Sequence, residues 1–148
     1  MGRRLARELA FFALFQYDLG RVPWPDAVRW LLAEHELSPD AASFLQEIVA
    51  DAIAKREEID GLLRHYSQDW PLARMASTDR NILRLAVYEL LYRSDIPVEV
   101  TVNEAVEMAK KFGDEDSGKF VNGVLGTVIR AIREMVAVPA KVDEGTDE

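Results

Sequence analysis

The chain has 148 residues, with 18 Lys+Arg against 26 Asp+Glu, two His and no cysteine, giving a formal net charge of −8. That length suits one domain or two tightly packed helical halves, and 49% apolar with 9% aromatic residues is a globular composition. The lack of cysteine excludes disulfides, thiolate zinc sites, Fe–S clusters and a Cys nucleophile, and the acidic balance argues against wholesale coating of nucleic acid while leaving room for a local basic patch. The longest apolar run, Leu9 to Phe15, is too short to span a membrane. Met1-Gly2-Arg3-Arg4 leads directly into a helical pattern, so no secretory leader is expected.

Prolines and glycines set the order of the predicted elements. No breaker interrupts Arg4 to Leu19, and Gly20 is a natural helix stop. Pro23 and Pro25 open a short second helix, roughly Asp26 to His35, with Trp30 and Leu31 expected to face inward. Ser38-Pro39 reads as an N-cap and first-turn proline for one long third helix whose apolar stripe runs from Phe44 through Ile48, Ala52 and Ile59 to Leu63. Trp70-Pro71 breaks the pattern, and Ser77-Thr78-Asp79 is expected to cap a helix that is apolar almost all round and therefore central. After Pro97, the alternation of Val98, Val100 and Val102 predicts an extended connector into a helix over about Asn103 to Phe112, stopped by Gly113. Asp114-Glu115-Asp116-Ser117 caps a last helix in which Gly123 and Gly126 suggest close packing. The fold class expected is all-α, about seven helices in two packed helical-bundle subdomains, 1–70 and 71–137, followed by a disordered acidic tail over 138–148.

Little in the chain carries catalytic chemistry. His35 and His65 share no ligand spacing, and Glu104 and Glu107 lack partners for a di-metal site. There is no nucleophile elbow and no glycine-rich phosphate loop, so neither an enzyme nor a cofactor or metal requirement is expected. The informative segment is the start. On a helix, Arg3, Arg4 and Arg7 fall within about one quadrant, with Leu5, Leu9 and Phe12 opposite. Arginine forks suit bidentate phosphate recognition, although salt bridges to acidic neighbours would also explain them. Phe11, Leu14 and Phe15 continue the arginine face as an apolar stripe, which must be buried or offered to a partner, a homodimer included.

These residues resemble those of a known family, the NusB transcription antitermination factors. Arg3-Arg4-x-Ala6-Arg7-Glu8-x-Ala10 is similar to the family's arginine-rich start, and Asp79-Arg80-x-x-Leu83-Arg84-x-Ala86-x-Tyr88-Glu89-Leu90 to its central helix. The stretch from Arg93-Ser94-Asp95-Ile96-Pro97 through Asn103-Glu104-Ala105, Phe112-Gly113 and Lys119-Phe120-Val121-Asn122-Gly123-Val124-Leu125 resembles its C-terminal signature. The resemblance implies a cytoplasmic RNA-binding protein that, with the ribosomal protein NusE, binds single-stranded boxA RNA of nascent ribosomal transcripts. It implies read-through by RNA polymerase, reached through other Nus factors.

Carried over residue by residue, the resemblance places RNA contacts on Arg3, Arg4, Arg7, Asp116, Ser117, Lys119 and Phe120. The partner face falls on Phe15 and Asp79, with Phe11 and Leu14 joining it through the apolar stripe. Phosphate contacts from the arginines would position the RNA, while the 114–120 loop would read it. The contrasting expectation is a helical protein-protein interaction module without direct RNA contact, its arginines serving only as surface ion pairs.

Overall fold

The computed structural model describes the backbone of residues 2–20, 22–67 and 70–147, with side chains as far as residue 134. Seven α-helices are found among the described residues: α1 (Gly2–Asp18), α2 (Trp24–Glu34), α3 (Pro39–Ala54), α4 (Arg56–Tyr66), α5 (Ser77–Tyr92), α6 (Val98–Phe112) and α7 (Ser117–Asp147). A 3-10 turn, Leu72–Arg74, lies between α4 and α5, and there is no strand among the described residues. The all-α expectation therefore holds.

Local signals explain most boundaries. Gly20 ends the first segment at φ 71°, a left-handed conformation that a Cβ would disfavour. The Ser38 side chain accepts the Ala41 N–H at 3.2 Å, capping α3 as expected. Three expected boundaries are different. The long third helix divides at Lys55, whose N–H still bonds Asp51 O. The change of direction lets Ile59 and Leu63 enter the core while Asp60 meets Arg84 on α5. The alternating valines form the first turn of α6, because Pro97 is pre-set to lead into a helix and Val100 and Thr101 donate their N–H groups to its carbonyl. At α5, Ser77 begins the helix after Ala76 and makes no side-chain cap. The backbone of α7 runs on to Asp147, through most of the stretch expected as a disordered acidic tail. The tail's side chains lie outside the described residues.

Ile82, Leu83, Leu85, Val87 and Tyr88 of α5 are fully buried, so this is the central helix its composition predicted. It is packed by α1, α3, α4, α6 and α7, and one continuous apolar cluster draws residues from all of them. Trp30 departs from expectation: it is 60% exposed, while Ala27, Val28 and Leu31 supply the buried side of α2. Added Cβ atoms at Gly123 and Gly126 would meet little or nothing, so these two glycines do not mark close packing. Gly118 does, since its Cβ would lie 3.1 Å from Lys110 Cγ where α7 begins against α6.

Candidate nucleic-acid interface

The three leading arginines occupy different environments, although all lie on the first two turns of α1. Arg7 is buried. Its guanidinium makes bonds of 3.0–3.2 Å to both oxygens of Glu89 on α5, and the Thr101 hydroxyl of α6 donates to the same carboxylate. It cannot meet an RNA phosphate in this conformation. In this conformation it is an internal tie between α1, α5 and α6, because helix packing turns that part of the quadrant inward. Arg3 and Arg4 remain exposed. Arg3 lies 4.3 Å above the Phe44 ring and 3.9 Å from Asp95. Arg4 makes a bidentate pair with Glu104 at 3.1 and 2.8 Å, which holds the Glu104 carboxyl below the usual carboxylate range.

From these arginines the surface follows the paired edges of α1 and α6. One turn beyond Arg4, Glu8 accepts from Lys111 at 3.1–3.2 Å. Phe112 then stacks on Phe11 and meets Phe12 edge-on. An open groove of about 360 Å³ is lined by Arg4, Glu8, Glu104, Glu107, Lys110 and Lys111. The edge ends at the loop before α7. There the Asp114 N–H donates to Ser117 Oγ, the Ser117 hydroxyl donates to Asp114 Oδ1, and that same oxygen accepts the Asp116 N–H. Ser117 is thus buried in a cap that shapes the loop. Lys119 and Asp116 are exposed, and Phe120 is half-buried.

Beside this loop lies a second groove, about 340 Å³, formed by Trp70, Ala76, Asp79, Asp114, Asp116 and Phe120. Trp70 is 53% exposed and meets Phe120 edge-on at 6.3 Å, giving an open aromatic corner. Asp79 is buried on the groove wall, and its Oδ1 has no hydrogen-bond partner among the described residues. Burial pushes its carboxyl above the ordinary range and Asp114 adds to the effect, while the nearby Ser117 hydroxyl offsets only part. An unsatisfied acceptor at a groove wall is suited to a donor from outside the chain.

The apolar partner stripe does not survive as a surface. Phe11 and Leu14 belong to the core, packed by α6 and the neighbouring helices, and only Phe15 stays half-exposed. Helix α1 is apolar on two sides because it is buried on both. The sequence reading missed Trp70 as a site residue; an exposed tryptophan just ahead of a proline break was the available signal. It also missed Arg93, whose guanidinium joins those of Arg3 and Arg7 around the Phe44 ring, at 5.2 Å.

The fold defines a class, an all-helical protein with no metal-ligating cluster among the described residues. The NusB family model matches residues 4–130, and the chain belongs to that family. It is 43% identical to the transcription antitermination protein NusB of Heliobacterium modesticaldum, over 98% of this chain and 70% of that relative. A solved structure of T. maritima NusB is 40% identical with a TM-score of 0.81, covering 86% of this chain and 90% of the other. A crystal structure of antitermination factors NusB and NusE in complex with dsRNA has a chain 30% identical at TM-score 0.81, covering 88% of this chain and 97% of that one. No described helix is long and apolar enough to cross a membrane.

Proposed function

We propose that this chain is a non-catalytic, cytoplasmic transcription antitermination factor that pairs with NusE and binds the boxA element of nascent ribosomal RNA. The observation carrying this reading is the similarity, nearly end to end, to a NusB chain described in complex with NusE and RNA. The pair would join the RNA polymerase elongation complex through other Nus factors. Arg3 and Arg4 hold the RNA backbone, and Lys119 adds charge at the far end of the same edge. Phe120 and Trp70 offer a stacking corner to an unstacked base, and the Asp116 carboxylate accepts from a base amino group. Asp79 and Phe15 face the protein partner, with the unpaired Asp79 oxygen accepting from a cationic or amide donor. NusE, as a ribosomal protein, supplies basic surface that this acidic chain lacks. In a homodimer built on the Phe11, Leu14 and Phe15 stripe, Phe15 is the member of the stripe that stays part-exposed.

The test is a salt titration of boxA RNA binding, by fluorescence anisotropy, with and without NusE. The reading expects NusE-dependent binding of boxA over a scrambled RNA, with log K falling linearly as log salt rises. NusE binding with no RNA affinity at low salt would instead favour the protein-protein module.

A further inference from the structure

The cations on the α1–α6 edge are held by this chain's own carboxylates: Arg3 by Asp95, Arg4 by Glu104, Lys110 by Glu107 and Lys111 by Glu8. Two of the pairs are unequal in their exposure. The Arg4 side chain is 68% exposed over a Glu104 that is only 14% exposed, and Lys111 is 60% exposed over a Glu8 at 15%. The cations project outward on long, rotatable stems, whereas the carboxylates are recessed into the groove wall. A phosphate arriving at this edge can draw the guanidinium or ammonium away from its partner. The carboxylate left behind cannot follow, and it then faces the incoming anion.

We infer that Glu104 and Glu8 compete with the RNA backbone for Arg4 and Lys111, so that loading RNA means exchanging two internal ion pairs for phosphate contacts. This rests on the RNA-binding reading above and adds a control on it. Both carboxylates weaken binding to any single-stranded RNA by a similar factor, so the ratio between sequences is unchanged while the occupancy by arbitrary strands at a given concentration falls. A site held by base contacts and by the partner's basic surface still binds. An unguarded arginine edge would raise the affinity for every strand alike and leave more of the protein on arbitrary RNA at a given concentration.

The experiment compares Glu104→Gln, Glu8→Gln, the double variant and Arg3→Ala/Arg4→Ala with the parent chain, each in complex with NusE. Binding of boxA RNA and of a scrambled single strand is measured from low to high salt. Each Gln variant should tighten binding about two- to fivefold at low salt, since exposed pairs of this kind are individually weak. The gain should be similar for both RNAs and should fade as salt screens the competitor. Gln variants that bind no more tightly than the parent, while Arg3→Ala/Arg4→Ala binds more weakly, would overturn the competitor role and leave the RNA reading standing. If the arginine variant also binds as the parent does, the RNA edge itself is wrong and the competitor role falls with it. Using two carboxylates on different helices keeps the test open should one variant fold poorly, with circular dichroism as the check.

Discussion

Two sets of ion pairs, one inside the molecule and one along its edge, use the same residue types for opposite purposes. Inside, Arg7 and Glu89 are bonded through several atoms, shielded from water and joined by Thr101. Arg80 and Arg84 similarly converge on Asp18 and Asp60, tying α1, α4 and α5 together. On the edge, Arg4–Glu104 and Lys111–Glu8 have comparable distances but exposed cations. Geometry alone does not separate the two sets; burial does. A buried pair holds the fold because breaking it leaves a charge without water, while an exposed pair can be exchanged for a ligand at small cost.

The sharpest way to break that comparison is Glu89→Ala, which strands the Arg7 charge in the core. The expected loss is about 3–5 kcal/mol of unfolding free energy, read by urea denaturation. Replacing both partners, as in Arg7→Met with Glu89→Leu, should restore most of it, because a well-packed apolar pair avoids the desolvation cost. That folded double variant should keep the parent's salt slope for RNA. A flatter slope would return Arg7 to the RNA-binding set.

Next in size is Trp70→Ala. Its exposed ring contributes little to the core, so the unfolding midpoint should barely move, whereas the loss of a stacked base should weaken RNA binding by about 1–3 kcal/mol. A smaller effect is expected from Arg3→Ala with Arg4→Ala. At about 0.7 per phosphate contact on a single strand, the salt slope should flatten by up to about 1.4, with stability changing within about 0.5 kcal/mol. Glu89→Ala acts on stability and these three substitutions on binding, and that division separates the two regions.

The sequence made the fold legible wherever one local signal sufficed: Gly20, Ser38-Pro39, Gly113 and the all-round apolar α5. It misled where tertiary packing overrode local pattern, as at Val98–Val102, which a helix start after Pro97 absorbed. The arginines show the same limit. Helical spacing placed Arg3, Arg4 and Arg7 on one face, but a helix held on several sides turns part of that face inward. Nothing in the sequence of α1 reveals that Glu89, 82 positions away, waits for Arg7. The acidic partners of Arg4 and Lys111 were equally hidden, because pairs across 100 and 103 positions have no periodicity to read.

Asp79 combines both kinds of behaviour and gives the smallest predicted effect, a pH dependence. Its folded carboxyl titrates above the unfolded one, so ionised Asp79 costs stability at neutral pH, and the contribution is most favourable below the unfolded range near pH 4. Asp79→Asn should therefore raise the unfolding midpoint at neutral pH, and the advantage should shrink on acidification as the parent becomes protonated. If the unpaired Oδ1 receives a donor from the protein partner, the same variant should bind NusE more weakly while being the more stable protein. Opposite signs in denaturation and in NusE titration would mark Asp79 as a group held in an unfavourable state for the sake of assembly. Matching signs would make it a buried carboxylate with no part in that contact.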